Sequence, residues 1–157
     1  MDSSPDSPTL SRLLETALYV RDVAASMDFY RDVLGLRVIQ GADLKHQDGP
    51  PFAALLIPGG SVLLIFQIGA NQNPLHLAGG TIPAHDGRGM LHLAFAIPPE
   101  DLDRWRKRLS GLGLKIESEM HWARENRSLY FRDPDQNLVE LATSGLWEAS
   151  NAPRTGD

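Results

Sequence analysis

The chain has 157 residues, 42% of them apolar and 22% charged, with a net charge of -5. That is enough for one well-buried domain, or for two small modules sharing a core, and too little for two independent enzymes. The acidic balance argues against a nucleic-acid or anionic-membrane surface, and the absence of cysteine removes disulfides, thiolate metal sites and cysteine nucleophiles from consideration. A small molecule and a second copy of the chain are the expected partners.

In chain order, Met1 to Arg12 is rich in Ser, Pro and Asp and lacks the basic start and apolar stretch of a signal peptide. Residues 1–12 are therefore expected as a disordered tail on a cytoplasmic protein, and no later stretch approaches a membrane-spanning length. A strand pattern follows at 14–20, then a helix with Asp22 as N-cap, an apolar stripe of Phe29, Tyr30, Val33 and Leu34, and Gly35 at its left-handed C-terminal position. Strand candidates come at 36–41, 52–58 and 61–68, the last two separated by the turn Pro58-Gly59-Gly60. Residues 69–89, rich in Gly, Pro, Asn and His, read as a connection.

The same order then repeats. A strand at 91–97 precedes Pro98-Pro99, a helix carrying Leu102, Trp105 and Leu109, and Gly111 and Gly113 at its close. Strands follow at 114–121, 127–132 and 137–143, and the polar stretch 149–157 reads as a flexible tail. The helix exits match, Leu34-Gly35-Leu36-Arg37-Val38 against Leu112-Gly113-Leu114-Lys115-Ile116, and the first strands lie about 77 positions apart. The expected architecture is α+β. Two tandem βαβββ modules, 13–68 and 90–147, form a single domain over 13–148, with a curved, cup-like mixed sheet and its helices outside. One module alone would leave a sheet face bare.

Alternation across each strand separates its two faces. Leu91, Leu93, Phe95 and Ile97 form the bulky face expected under a helix, leaving His92, Ala94 and Ala96 on the other. The first strand repeats this with Glu15, Ala17 and Tyr19, and the last with Leu138, Glu140 and Ala142. Three polar groups at related positions, each with a small alanine two residues on, point to a cavity holding one divalent metal on Glu15, His92 and Glu140. Two nearby buried carboxylates would otherwise repel each other and take up protons. A fourth related position falls on Leu64, which cannot bind metal, so coordination positions stay open for water or substrate. One imidazole and two carboxylates suit Mn, Fe, Ni, Zn or Mg. Tyr19 lies on the cavity face as a hydrogen-bond donor, with Tyr130 as a further candidate. His85 is the general-base candidate outside the ligand set, and Phe66 and Trp122 are candidate apolar walls.

Three segments resemble the vicinal oxygen chelate superfamily: Val20 to Leu36, the His92 strand, and Tyr130-Phe131-Arg132-Asp133-Pro134-Asp135-Gln136-Asn137-Leu138-Val139-Glu140-Leu141. That superfamily includes glyoxalase I, extradiol dioxygenases, fosfomycin-resistance enzymes and bleomycin-binding proteins. The resemblance implies four ligand positions, matching Glu15, Leu64, His92 and Glu140, with leucine and Glu15 as departures from the usual set. It implies chelation of vicinal oxygens with a metal-stabilised enolate or alkoxide, in lyase, isomerase or dioxygenase chemistry, for which Glu140, His85 and Tyr19 are the catalytic candidates read from the residues above. It also implies a homodimer. The closing run, from Trp122 through Arg127-Ser128-Leu129-Tyr130-Phe131 to Gly145-Leu146, is similar to the fosfomycin-resistance enzymes, which makes Arg124, Arg127 and Ser128 anion-binding candidates and a thiol transferase an alternative. A metal-free sequestering protein of the bleomycin-resistance type is the other alternative.

Overall fold

A computed structural model describes residues 8–41 and 51–151. The first module contains β1 (Glu15–Val20), α1 (Val23–Asp32), β2 (Arg37–Gln40), β3 (Phe52–Leu56) and β4 (Val62–Gln67). A short hairpin follows, β5 (Leu75–Leu77) and β6 (Gly80–Ile82), and then the second module of β7 (His92–Ile97), α2 (Leu102–Gly111), β8 (Ser118–His121), β9 (Arg127–Arg132) and β10 (Leu138–Thr143). Strand order is β1-β4-β3-β2 in one sheet and β7-β10-β9-β8 in the other, so the βαβββ repeat holds in topology as well as in pattern. The expected tails fall largely at 1–7 and 152–157, outside the described residues. Arg12, assigned to the tail, donates to the Gly60 carbonyl oxygen at 2.5 Å.

Local signals account for the element ends. Asp22 caps α1 by accepting from the Ala25 amide at 3.0 Å, and Gly35 and Gly113 take left-handed φ values of 73° and 72° where each helix turns back. The hairpin was expected as irregular connection. Its signal is the apolar, Gly-rich run Leu75-His76-Leu77-Ala78-Gly79-Gly80-Thr81-Ile82, in which Ala78 and Gly79 make a two-residue turn.

Each helix covers one face of its own sheet. The two covered faces share a core: Leu18, Val20, Leu55, Leu63 and Ile65 of the first module are contiguous with Leu129, Phe131, Val139 and Leu141 of the second. Polar contacts reinforce the junction. Tyr30, fully buried on α1, donates to Asp133 at 3.0 Å, and Arg108 of α2 donates to the carbonyl oxygens of Asp32 and Val33. Because the covered faces meet at this core, alternation turns the two cup faces away from it. Among the described residues β1 and β7 are each paired on one side only, with β4 and β10 respectively.

Candidate functional site

Register establishes which positions correspond. β1 runs parallel to β4 with Glu15 beside Val62 and Ala17 beside Leu64. β7 runs parallel to β10 with His92 beside Leu138 and Ala94 beside Glu140. Glu15 therefore corresponds to His92, and Leu64 to Glu140, as the internal repeat implied.

On the second module's cup face, His92 and Glu140 come together, with Nε2 and Oε2 3.1 Å apart. The imidazole is half exposed while the carboxylate is 7% exposed. His92 Nδ1 sits 3.2 Å from the Leu138 carbonyl oxygen. A carbonyl only accepts, so Nδ1 carries a proton, and Nε2 is the nitrogen turned toward a carboxylate oxygen. Two lone-pair atoms this close need a proton or a cation between them, and a nitrogen and an oxygen donor fit a divalent ion. The remaining Glu140 oxygen, Oε1, accepts from the Tyr130 hydroxyl at 2.9 Å. Burial, and then the hydrogen bond to Glu140, push the Tyr130 hydroxyl above its ordinary value, so it stays a donor through neutral pH. The Trp122 indole donates to buried Ser128 Oγ at 2.9 Å, setting an aromatic wall on the same face, and Ala94 and Ala142 leave space beside the pair.

On the first module's cup face the Tyr19 hydroxyl lies 2.7 Å from His85 Nδ1, and Phe66 packs against both rings with centroids 5.9 and 5.1 Å away. Three sequence candidates thus form one cluster. Glu15 stands exposed at the start of β1. Among the described residues no three His, Asp or Glu side chains come close enough to hold a metal. The expected convergence of Glu15 with His92 and Glu140 is therefore not made within one chain, because their sheets join through the opposite, apolar faces.

Two further expectations change. Arg127 shares its side of β9 with Leu129 and Phe131, and its guanidinium lies 3.8 Å from Glu119, which also accepts from Arg106 of α2. It therefore points to the helix side and not into the cup. Arg124 sits exposed in a turn at φ 58°, outside the cluster around Glu140. Reading the sequence missed the frame around His85. Asp86 accepts from the Gly69 amide and from Gln72, both at 3.0 Å, and the His85 amide donates to the Asn71 carbonyl oxygen at 2.9 Å. The only local signal was the run Ala84-His85-Asp86-Gly87 inside what looked like plain connection, with Asp86 and Gly87 as residue types that favour turns and close approach.

With this geometry in view, a family model described as the glyoxalase/bleomycin resistance protein/dioxygenase superfamily matches residues 12–141. The crystal structure of lactoylglutathione lyase from Agrobacterium tumefaciens has a TM-score of 0.75 at 31% identity, over 89% of this chain and 98% of that one. Fosfomycin resistance protein FosX from Mesorhizobium loti has a TM-score of 0.60 at 27% identity, over 90% and 99%. Metallothiol transferase FosB of Staphylococcus saprophyticus is 28% identical over 129 residues, 81% of this chain and 73% of its own length.

Proposed function

The chain belongs to the glyoxalase/bleomycin resistance protein/dioxygenase superfamily, and from that premise we propose that it is a divalent-metal-dependent enzyme acting on a small substrate with vicinal oxygens. His92 and Glu140 of one chain and the partner's Glu15 would hold the metal. The observation that carries this reading is the facing of His92 Nε2 and Glu140 Oε2 at 3.1 Å, with Nδ1 already committed to a backbone carbonyl. The relatives named lactoylglutathione lyase and metallothiol transferase support an enzyme over a sequestering protein.

When bound, such an ion supplies Lewis acidity that stabilises negative charge developing on a chelated oxygen. The chain's own residues do the rest. The Leu138 carbonyl fixes the His92 tautomer, and the Tyr130 hydroxyl keeps Glu140 aimed through its other oxygen. Trp122 restricts water on one side, while the alanines beside the pair leave room for the substrate.

A second copy is what this reading needs. Laying β1 of one chain beside β7 of another pairs the two open edges and sets Glu15 on the same cup face as His92 and Glu140. A two-fold pair built this way forms two equal cups. The reading is tested by elemental analysis of the purified chain after supplementation with Mn, Fe, Ni and Zn. About one ion per chain is expected in the wild type, with loss on Glu140→Gln. A chain that retains no metal from any of the four would contradict it and leave the sequestering role.

A further inference from the structure

The connection between the modules does more than span a distance. It returns to the first module's cup face and presents His85 to Tyr19 there, at 2.7 Å between Nδ1 and the hydroxyl oxygen. We propose that Tyr19 and His85 form one acid–base unit, in which His85 Nε2 takes a proton from the bound substrate while the Tyr19 hydroxyl donates to a substrate oxygen. This rests on the reading above, in which the face carrying Tyr19 and His85 closes over the partner's His92 and Glu140.

The surroundings are built for the contact. A Cβ at Gly87 would stand 2.4 Å from Tyr19 Cδ2, so only glycine lets the connection pass this close to the ring. Asp86 ties the loop to Gly69 and Gln72, the His85 amide is held by the Asn71 carbonyl oxygen, and Phe66, itself backed by Phe52, packs against both rings. The titratable or charged groups facing the pair are Asp86 and, 4.0 Å from it, Arg88, with Glu15 on the same face of β1. Among the described residues His85 Nε2 has no hydrogen-bond partner, and that leaves it for a ligand.

The proton balance selects one arrangement. Nδ1–H donates to the Tyr19 oxygen, which leaves the lone pair on Nε2 and frees the Tyr19 proton to point at substrate. When Nε2 accepts the substrate proton, the substrate X–H bond breaks, its electron pair stays on the substrate, and His85 becomes an imidazolium that keeps its Nδ1–H bond to Tyr19. Tyr19 does not ionise along the way. Burial, and then the charge of Asp86, raise its hydroxyl above the ordinary value.

The test uses the full-length chain, with His85 resonances assigned by their loss in His85→Asn. Long-range proton–nitrogen NMR at about pH 8, where histidine is neutral, should show His85 with its proton on Nδ1, and Tyr19→Phe should shift it to the Nε2–H form. In zinc-loaded chain, His85→Asn should weaken 4-nitrocatechol, a vicinal diol probe, by about tenfold. It should leave zinc content unchanged. An Nε2–H tautomer in the wild type, a tautomer indifferent to Tyr19→Phe, or nitrocatechol binding indifferent to His85→Asn would each overturn the proposal. Failure of the wild type to take up zinc would instead count against the metal-enzyme reading. The imidazole spectra, recorded without metal, decide the Tyr19–His85 unit separately.

Discussion

Tyr130 contributes a single hydroxyl to the site, yet that hydroxyl fixes which Glu140 oxygen remains for a ligand. Its removal in Tyr130→Phe leaves the ring in place and frees Glu140 to turn. Metal affinity is expected to fall by about 10- to 100-fold with little change in fold, as calorimetric titration with zinc would show. Gly87 is the opposite case, a residue whose value lies in having no side chain. Gly87→Ala places a methyl against a Tyr19 ring that Phe66 backs, so a stability loss of about 1–3 kcal/mol is expected in thermal unfolding. Gly79→Ala, with nothing within 4 Å of the added Cβ, is the control and should be near neutral. At this scale the sequence was informative about identity and poor about company. Glu140 and His92 were legible from strand alternation and Tyr130 only from its place in a hairpin strand, whereas the Asp86 and Gly87 frame depends on where a loop comes to rest in space.

Among the elements, α1 is the one whose start is best defined by its own residues. Asp22→Ala removes the acceptor for the Ala25 amide and should cost about 1 kcal/mol, read as a lower denaturation midpoint. The loop from 69 to 86 has a pH signature. Hydrogen bonds from Gly69 and Gln72 hold the Asp86 carboxyl below the ordinary aspartate value, so the charged form is the one the folded loop favours. Its contribution is therefore present above the unfolded-state value and lost as pH falls through the folded one. Protection of the Gly69 amide, corrected for the intrinsic pH dependence of exchange, should fall once the pH drops below the ordinary aspartate range and Asp86 takes up its proton. If Gly69 protection were flat across that range, the clasp would have no role. Helices, caps and the eight module strands were readable from period, Gly and Pro signals. The β5–β6 hairpin was not, because three-residue strands carry too little pattern to stand out from a polar connection.

For the whole molecule, the repeat announced two modules with equivalent strand positions, and parallel register in both sheets matches Glu15 with His92 and Leu64 with Glu140 as corresponding positions. Sequence alternation assigns a residue to a face, but it does not say which faces meet. Both sheets turn their bulky faces into one core, so the cup faces part and a single chain carries Glu15 on one side and His92 with Glu140 on the other. Exposed Leu13 and Leu14 by β1 and Met90 by β7 flank the two open edges, which is where a second chain would sit.

A subunit-mixing experiment tests this division of the site directly. Glu15→Ala and Glu140→Gln chains, each purified alone, should retain little metal. Unfolded together and refolded as a mixture, they should form hybrid pairs in which one cup has both defects and the other has none. Metal content should then rise to about one ion per hybrid pair. A mixture that binds no more metal than the two variants measured separately would contradict a site shared between chains.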